Sequence, residues 1–298
     1  MSARPRPHAA PAPVGGVTLM IAATGFFSLM FACVKALGAG FPFFEAVFFR
    51  ALFGLPLVLA LVLRRGGRLW PRRPLLMLAR GLFGFAAMSG YFYAVQRGQL
   101  AELAVIARTQ PIFIACLAPL LLHERITGVA LGALAAGFGG ALLVIKPGFG
   151  GLFDSAGLAA MSSAVLSALA HIAVRRLGAT ERPELIVLYF TLVVGSGSAA
   201  LGGATFVAPS GAQLVLMGVV ALCATAGQLL MTAAYARDRA PIVSASAYSS
   251  VVFATVLGYA FWGELPDLLA WIGASIVVAA GIALAFSRRG VREPPSPT

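Results

Sequence analysis

Ten apolar runs, each close to twenty residues long and joined by only a few polar residues, leave this chain few folds to choose from. A helix rises 1.5 Å per residue, so about 20 apolar residues cross a ~30 Å hydrocarbon layer. The runs are Val14–Val34, Phe43–Leu63, Leu75–Val95, Leu100–Leu122, Ile126–Ile145, Leu152–Val174, Leu185–Phe206, Leu214–Tyr235, Ile242–Trp262 and Leu268–Phe286. A β-barrel needs segments of about ten residues that alternate apolar and polar, and the sequence lacks them. Composition agrees: the chain is 60% hydrophobic and 11% charged, against roughly 25% charged in soluble domains. So few charges cannot coat a soluble surface, and the expected solvent is the lipid bilayer. The expected fold is an all-α membrane protein of ten transmembrane helices.

The joints are too short for a soluble domain, so neighbouring helices are expected to be antiparallel. Pro241 suits the first turn of the ninth span, Thr127 can start the fifth and Asp267 can cap the tenth. With the N-terminus inside, sixteen of the 22 basic residues fall in inside segments and three (Lys35, Arg97 and Lys146) at outside ends. That asymmetry is the positive-inside pattern of a plasma (inner) membrane protein. It sets an even number of spans with both termini cytoplasmic. Residues 1–13 and 287–298 read as cytoplasmic tails. The net charge of +12 is thus a topological signal, and no nucleic-acid partner is expected. Cys33, Cys116 and Cys223 lie inside apolar runs without metal or disulfide spacing. No metal or cofactor is expected.

The halves resemble one another. HERITGVALGALAAGFGGALLV in the first matches GELPDLLAWIGASIVVAAGIAL in the second, aligning Glu124 with Glu264, Gly132 with Gly273 and Gly140 with Gly281. Each Glu closes the fourth span of its half. Five spans is an odd number, so the second unit enters the membrane from the opposite side. The expected organisation is a first five-helix repeat over 14–147 and an inverted second over 152–286. Inverted repeats are a recurring basis of alternating access.

With these features in place, the chain resembles the EamA-type transporters of the drug/metabolite transporter superfamily. FSLMFACVKAL, PFFEAVFFRALFGLPLV, RTQPIF, HERIT and GELPD carry the likeness across residues 14–286. The resemblance implies an inner-membrane carrier of a small-molecule substrate, often an exporter. It places spans one to four and six to nine around the substrate path. It leaves spans five and ten peripheral and available for a homodimer. RTQPIF corresponds to AYSSVV in the second half, which lacks the proline, so strict symmetry of the site is not expected.

Ionisable residues inside spans mark functional candidates. Arg50 and Arg108 each lie about 10–12 Å from the outer ends of their helices at 1.5 Å per residue. Both are candidates to line an outward part of the path, where they can attract a carboxylate, a phosphate or a π-face; salt bridges to Glu45 or Glu102 are the competing reading. Glu45 and Glu102 are candidates for proton coupling. Pro111 is expected to free the carbonyl near Ala107, and Gln110, Gln228 and Tyr91 supply polar or aromatic contacts. Arg80 and His171 are expected near the cytoplasmic interface, with Arg80 snorkelling. Glu124 and Glu264 are read as repeat markers that organise the turns into the fifth and tenth helices. Gly128 and Gly132 are read as a close helix approach, and Ala156, Ala160, Ala164 and Ala168 as a packing stripe.

Neither a nucleophile elbow nor a glycine-rich phosphate loop appears, which argues against an enzyme. Deep polar groups are not repeated in rings, which argues against a channel. Without room for a nucleotide-binding domain, the expected carrier is secondary. An intramembrane enzyme or a channel is the alternative.

Overall fold

The computed structural model describes residues 15–37, 41–66, 68–95, 106–124, 126–145, 155–263 and 267–287, and these are helical almost throughout. In chain order the helices are α1 (Gly16–Ala36), α2 (Phe43–Arg64), α3 (Pro74–Val95), α4 (Gln110–Leu122), α5 (Gly128–Ile145) and α6 (Ser155–Leu177). They continue as α7 (Pro183–Gly202), α8 (Gly211–Arg237), α9 (Ala240–Ser246), α10 (Ser249–Trp262) and α11 (Leu268–Ser287). Among the described residues six spans are long and apolar enough to cross a bilayer. The chain is a multi-pass, all-α membrane protein.

Several joints follow from local chemistry. The Thr127 hydroxyl accepts from Ala130 N–H at 3.2 Å and so starts α5. Pro241 stands in the first turn of α9, where its missing N–H is no loss. Asp267 immediately precedes α11. α8 opens with a reciprocal capping box: Gln213 N–H donates to Ser210 Oγ at 3.3 Å, and Ser210 N–H donates to Gln213 Oε1 at 2.8 Å. Two helix ends at corresponding places in the halves use a left-handed residue, His123 after α4 (φ 56°) and Gly263 after α10 (φ 65°).

The most extensive packing is α1 on α8, α3 on α6, α5 on α11 and α2 on α7. Next come α2 on α8, α3 on α7, α4 on α6 and α1 on α10, with α4 also meeting α9. In lipid no hydrophobic force draws apolar helices together, so close approach depends on small residues. Ala156, Ala160, Ala164 and Ala168 are all buried, and beside them Ser163 Oγ donates to the Ala87 carbonyl at 2.5 Å. The stripe serves the α3–α6 contact. Gly128 and Gly132 do not make the expected approach within the chain: a Cβ on either would meet no heavy atom within 4 Å. That role falls to Gly140, where a Cβ would lie 2.7 Å from the Gly273 carbonyl oxygen, and to Gly137, where it would lie 2.5 Å from the Tyr248 ring. α5 and α11 thus pack on each other at one side of the bundle, with Tyr248 beneath them.

The fourth and ninth runs depart from expectation, because neither is one continuous helix. Ile106 and Ala107 are helical, Arg108 and Thr109 form a turn, and α4 begins at Gln110. Pro111 therefore lies in the first turn of α4 and does not kink a helix interior. The ninth run breaks at Ala247 and Tyr248, between α9 and α10, without a proline.

Candidate functional site

The two breaks meet. Arg108 reaches from the first to donate through a terminal guanidinium nitrogen to Ser250 Oγ at 2.6 Å. Tyr248 reaches back from the second, its hydroxyl donating to the Arg108 carbonyl at 2.9 Å. A tight turn at Thr109, whose hydroxyl donates to the Ile106 carbonyl at 2.5 Å, closes the first break. Serines close the second. Ser244, Ser246, Ser249 and Ser250 donate to the carbonyls of Pro241, Ile242, Ser246 and Ala247 at 3.0, 2.9, 2.8 and 2.7 Å. Hydroxyls bonded back onto the backbone offer it an alternative to the helical ladder. Ser250 Oγ thus donates to the Ala247 carbonyl and accepts from Arg108. Thr24 on α1 brings its hydroxyl to 2.7 Å from that of Ser249. Tyr91 on α3 lies within electrostatic reach of Arg108 and packs with Ile106, Ala94 and Ala160, so it faces inward and is no interfacial anchor. Irregular backbone at membrane depth is tolerated where it is buried in protein or lines a cavity.

Beside the crossing, α4 meets α6 through Gln110 and His171. The Gln110 amide nitrogen is placed 2.9 Å from His171 Nδ1, and the Ser167 carbonyl is 2.6 Å from the same nitrogen. A carbonyl that close requires a hydrogen on Nδ1, so the amide oxygen of Gln110 belongs toward the ring, the flip that lets it share that hydrogen. The other ring nitrogen, Nε2, lies 3.2 Å from the Met231 sulfur. The Tyr235 ring packs on the imidazole at 5.1 Å. His171 is thus a part-buried residue among α4, α6 and α8.

Arg80 overturns the snorkelling expectation. It is 3% exposed, and its guanidinium carbon stands 4.1 Å above the Phe190 ring of α7. Gly84, one turn along α3, leaves the room it occupies, since a Cβ there would fall 2.4 Å from a terminal Arg80 nitrogen. Arg50 from α2 approaches the same ring at 5.9 Å. Arg50 therefore belongs with Arg80 and Phe190, whereas Arg108 belongs with Tyr91, Tyr248 and Ser250.

The acidic candidates separate in the same way. Glu45 is fully buried; one carboxylate oxygen accepts from Val207 N–H at 2.9 Å, and the other has no hydrogen-bond partner. It does not pair with Arg50. Glu102 and Glu264 lie outside the described residues. Glu124 accepts from Arg175 Nε at 2.6 Å and from Ala240 N–H at 2.8 Å. It therefore ties α4 to α6 and to the start of α9. Arg175 continues the tie by donating to the carbonyls of Tyr235 and Ala236 at 3.2 Å. The Gln228 amide oxygen is buried without a partner. Among the described residues no group of three His, Cys, Asp or Glu side chains stands ready for a metal.

Arg80, Phe190, Tyr248, Ser249, Ser250 and Thr24 were not candidates from the sequence. For the ninth span a signal existed, since four serines stand within the seven residues from Ser244 to Ser250 of an otherwise apolar run.

Comparison with known proteins bears on what this bundle does. The profile of the EamA-like transporter family matches residues 14–146. The Pseudopaline exporter CntI of Pseudomonas aeruginosa is 33% identical over 279 residues, 92% of this chain and 97% of the relative. The Riboflavin transporter of Rhizobium johnstonii is 30% identical over 277 residues, 90% of each chain. An S-adenosylmethionine uptake transporter of Rickettsia felis is 24% identical over 256 residues, 86% of this chain and 87% of the relative. A solved crystal structure at 20% identity superposes with a TM-score of 0.80 over 92% of this chain and 97% of that one, which establishes the shared fold alone. The chain belongs to the EamA-like transporter family: it is a membrane transporter of small solutes across the inner membrane, and not an enzyme.

Proposed function

We propose that the protein is a secondary transporter that moves a small metabolite or drug-like solute by alternating access, in the direction of export. The observation that carries this reading is the pattern of helix pairing. Let α9 and α10 together count as the ninth span, and exchange spans one to five with six to ten. The α1–α8 pair then becomes α6–α3, α2–α8 becomes α7–α3, and α1–α10 becomes α6–α4, while α2–α7 and α5–α11 map onto themselves. Two five-helix units over 14–147 and 152–286, inverted in the membrane, account for that pattern. They also account for broken helices at corresponding places in the fourth and ninth spans. A bundle of two such units can open to either side by rocking one against the other.

In this reading the face bearing Arg65, Arg72, Arg175 and Arg182 is cytoplasmic, as are both termini. Arg50, Arg108, Gln110, Pro111, Tyr91 and Gln228 line the path, and Glu45 and Glu102 are the candidates for proton exchange. α5 and α11, at one side, are available for a homodimer. Export is favoured by the 33%-identical relative that is an exporter across nearly its whole length.

Counterflow tests the reading. Proteoliposomes are loaded with a bacterial metabolite extract, and the same extract carrying isotopic label is added outside. A carrier accumulates some labelled compound transiently above its outside concentration. Label that equilibrates without overshoot indicates a channel, and label that stays outside refutes transport.

A further inference from the structure

Buried Arg80 and part-buried Arg50 have no carboxylate counter-charge among the described residues. Each described carboxylate whose partners are known is engaged elsewhere. Glu45 is held by Val207 N–H, Glu124 by Arg175, Glu181 by Arg72 N–H, Glu184 by Arg65, and Asp238 by Gly16 N–H; Asp267 stands at the start of α11. Among the described residues Arg50 and Arg80 share the face of Phe190, with Tyr235 and His171 within electrostatic reach of Arg80, and Arg80 Nε is buried without a hydrogen-bond partner. A guanidinium carries five N–H donors and keeps its charge at any accessible pH. Two of them, taken out of water and set against one ring, repel one another and leave donors unmet. A quadrupole can soften that cost but supplies no hydrogen-bond acceptor in the guanidinium plane.

We propose that the cargo is a small organic oxyanion, bearing a carboxylate or a phosphate, whose charged group is clamped between Arg80 and Arg50 at the face of Phe190. This rests on the carrier reading above. The two side chains approach the ring from different helices: Arg80 from α3, six residues from its basic-face end, and Arg50 from α2, seven residues from its opposite end. An oxyanion between them contacts residues from both halves of the membrane thickness and from both repeats, since Phe190 belongs to the second. Planar donor forks on two sides fit a carboxylate or phosphate bidentately.

A kinetic consequence follows. Closing the bundle without cargo brings the two cations out of water uncompensated, whereas closing it around an anion satisfies them. A ligand shifts a conformational equilibrium by its differential affinity for the two states, so the loaded carrier crosses through the closed state more readily than the empty one. Exchange of anion for anion is therefore faster than net efflux, and neutralising Arg80 narrows that gap while it weakens binding.

The test uses the full chain in proteoliposomes loaded with a uniformly 13C-labelled bacterial metabolite extract. Efflux is resolved by mass spectrometry, first into empty buffer and then into buffer holding unlabelled extract. The expected result is that effluxed compounds are carboxylates or phosphate esters, whose identity tells the two oxyanions apart, and that external extract accelerates their exit. Losing one charged hydrogen-bond partner predicts that Arg80→Gln lowers anion efflux at least about tenfold. It also predicts that the ratio of exchange to net efflux falls toward one. Arg80→Lys, which keeps the charge but not the fork, is expected to recover part of the rate. If Arg80→Gln does not fold, Arg50→Gln is read in its place. Efflux confined to cations or neutral compounds, or anion efflux unchanged within about twofold in folded Arg80→Gln or Arg50→Gln, overturns the anion clamp and leaves the carrier standing. Absence of any protein-dependent efflux overturns the carrier reading itself.

Discussion

Glu124→Ala removes two hydrogen bonds from the tie that joins α4, α6 and α9, and its cost can be worked from their geometry. The first lost bond is charge-assisted, with Arg175 Nε at 2.6 Å; the second caps α9 at Ala240 N–H, 2.8 Å away. Hydrogen bonds to charged groups contribute about 1.5–3 kcal/mol. The lower end applies here, because the Arg175 side chain keeps 25% of its surface in contact with solvent and retains the Tyr235 and Ala236 carbonyls. Losing a helix cap adds about 1 kcal/mol. The expected cost is about 2.5 kcal/mol, or roughly 70-fold in the folded-to-unfolded ratio. Glu124→Gln keeps one acceptor oxygen for two donors and is expected to cost about half as much. Reversible unfolding by SDS in mixed micelles, followed by intrinsic fluorescence, measures both. A cycle with Arg175→Met isolates the ion pair, for which a coupling of about 1–2 kcal/mol is expected. Additivity of the two variants within about 0.3 kcal/mol, or a Glu124→Ala cost below about 1 kcal/mol, refutes the reasoning.

Three further outcomes follow from particular contacts. The ninth span breaks without a proline, so the break at Arg108 rests on the Tyr248 and Thr109 bonds; Tyr248→Phe is expected to cost about 1 kcal/mol by the same unfolding assay, and Pro111→Ala less than about 0.5 kcal/mol. Gly140→Val places side-chain atoms against the Gly273 carbonyl and is expected to cost at least about 2 kcal/mol, while Gly132→Val, which meets open space in the chain, costs under about 0.5 kcal/mol; equal costs contradict the assigned α5–α11 contact. Glu45→Gln retains an acceptor for Val207 N–H, so the fold persists, and counterflow is expected to lose its response to an imposed pH gradient. A response equal to that of the unaltered protein assigns the coupling to another group.

The multi-pass helical fold was legible because hydropathy acts residue by residue and each helix needs it whatever its neighbours are. Azimuth, the direction in which a side chain leaves its helix, is set differently. Lipid and protein interior are equally apolar, so the inward face carries no hydrophobic signature, and close approach is decided by small residues. That is why distance from the helix end misplaced Arg80: its position along α3 was read correctly and its direction was not. It is also why Glu124 was given a local role, since its partners Arg175 and Ala240 lie on helices the sequence does not place beside it. The small residues do record the direction. Arg80 is followed four positions on by Gly84, which lies under its guanidinium, and Arg50 is followed four positions on by Gly54, where a Cβ would meet Thr225 of α8 at 2.8 Å. Positions four apart share a helix face, so each glycine marks the face turned toward a partner helix, and an arginine on that face points away from lipid. Arg108 has no such glycine. It stands at a broken turn, and its direction is set by Tyr248 and Ser250. The glycine four residues on therefore separates the two arginines that converge on Phe190 from the one that serves the crossing.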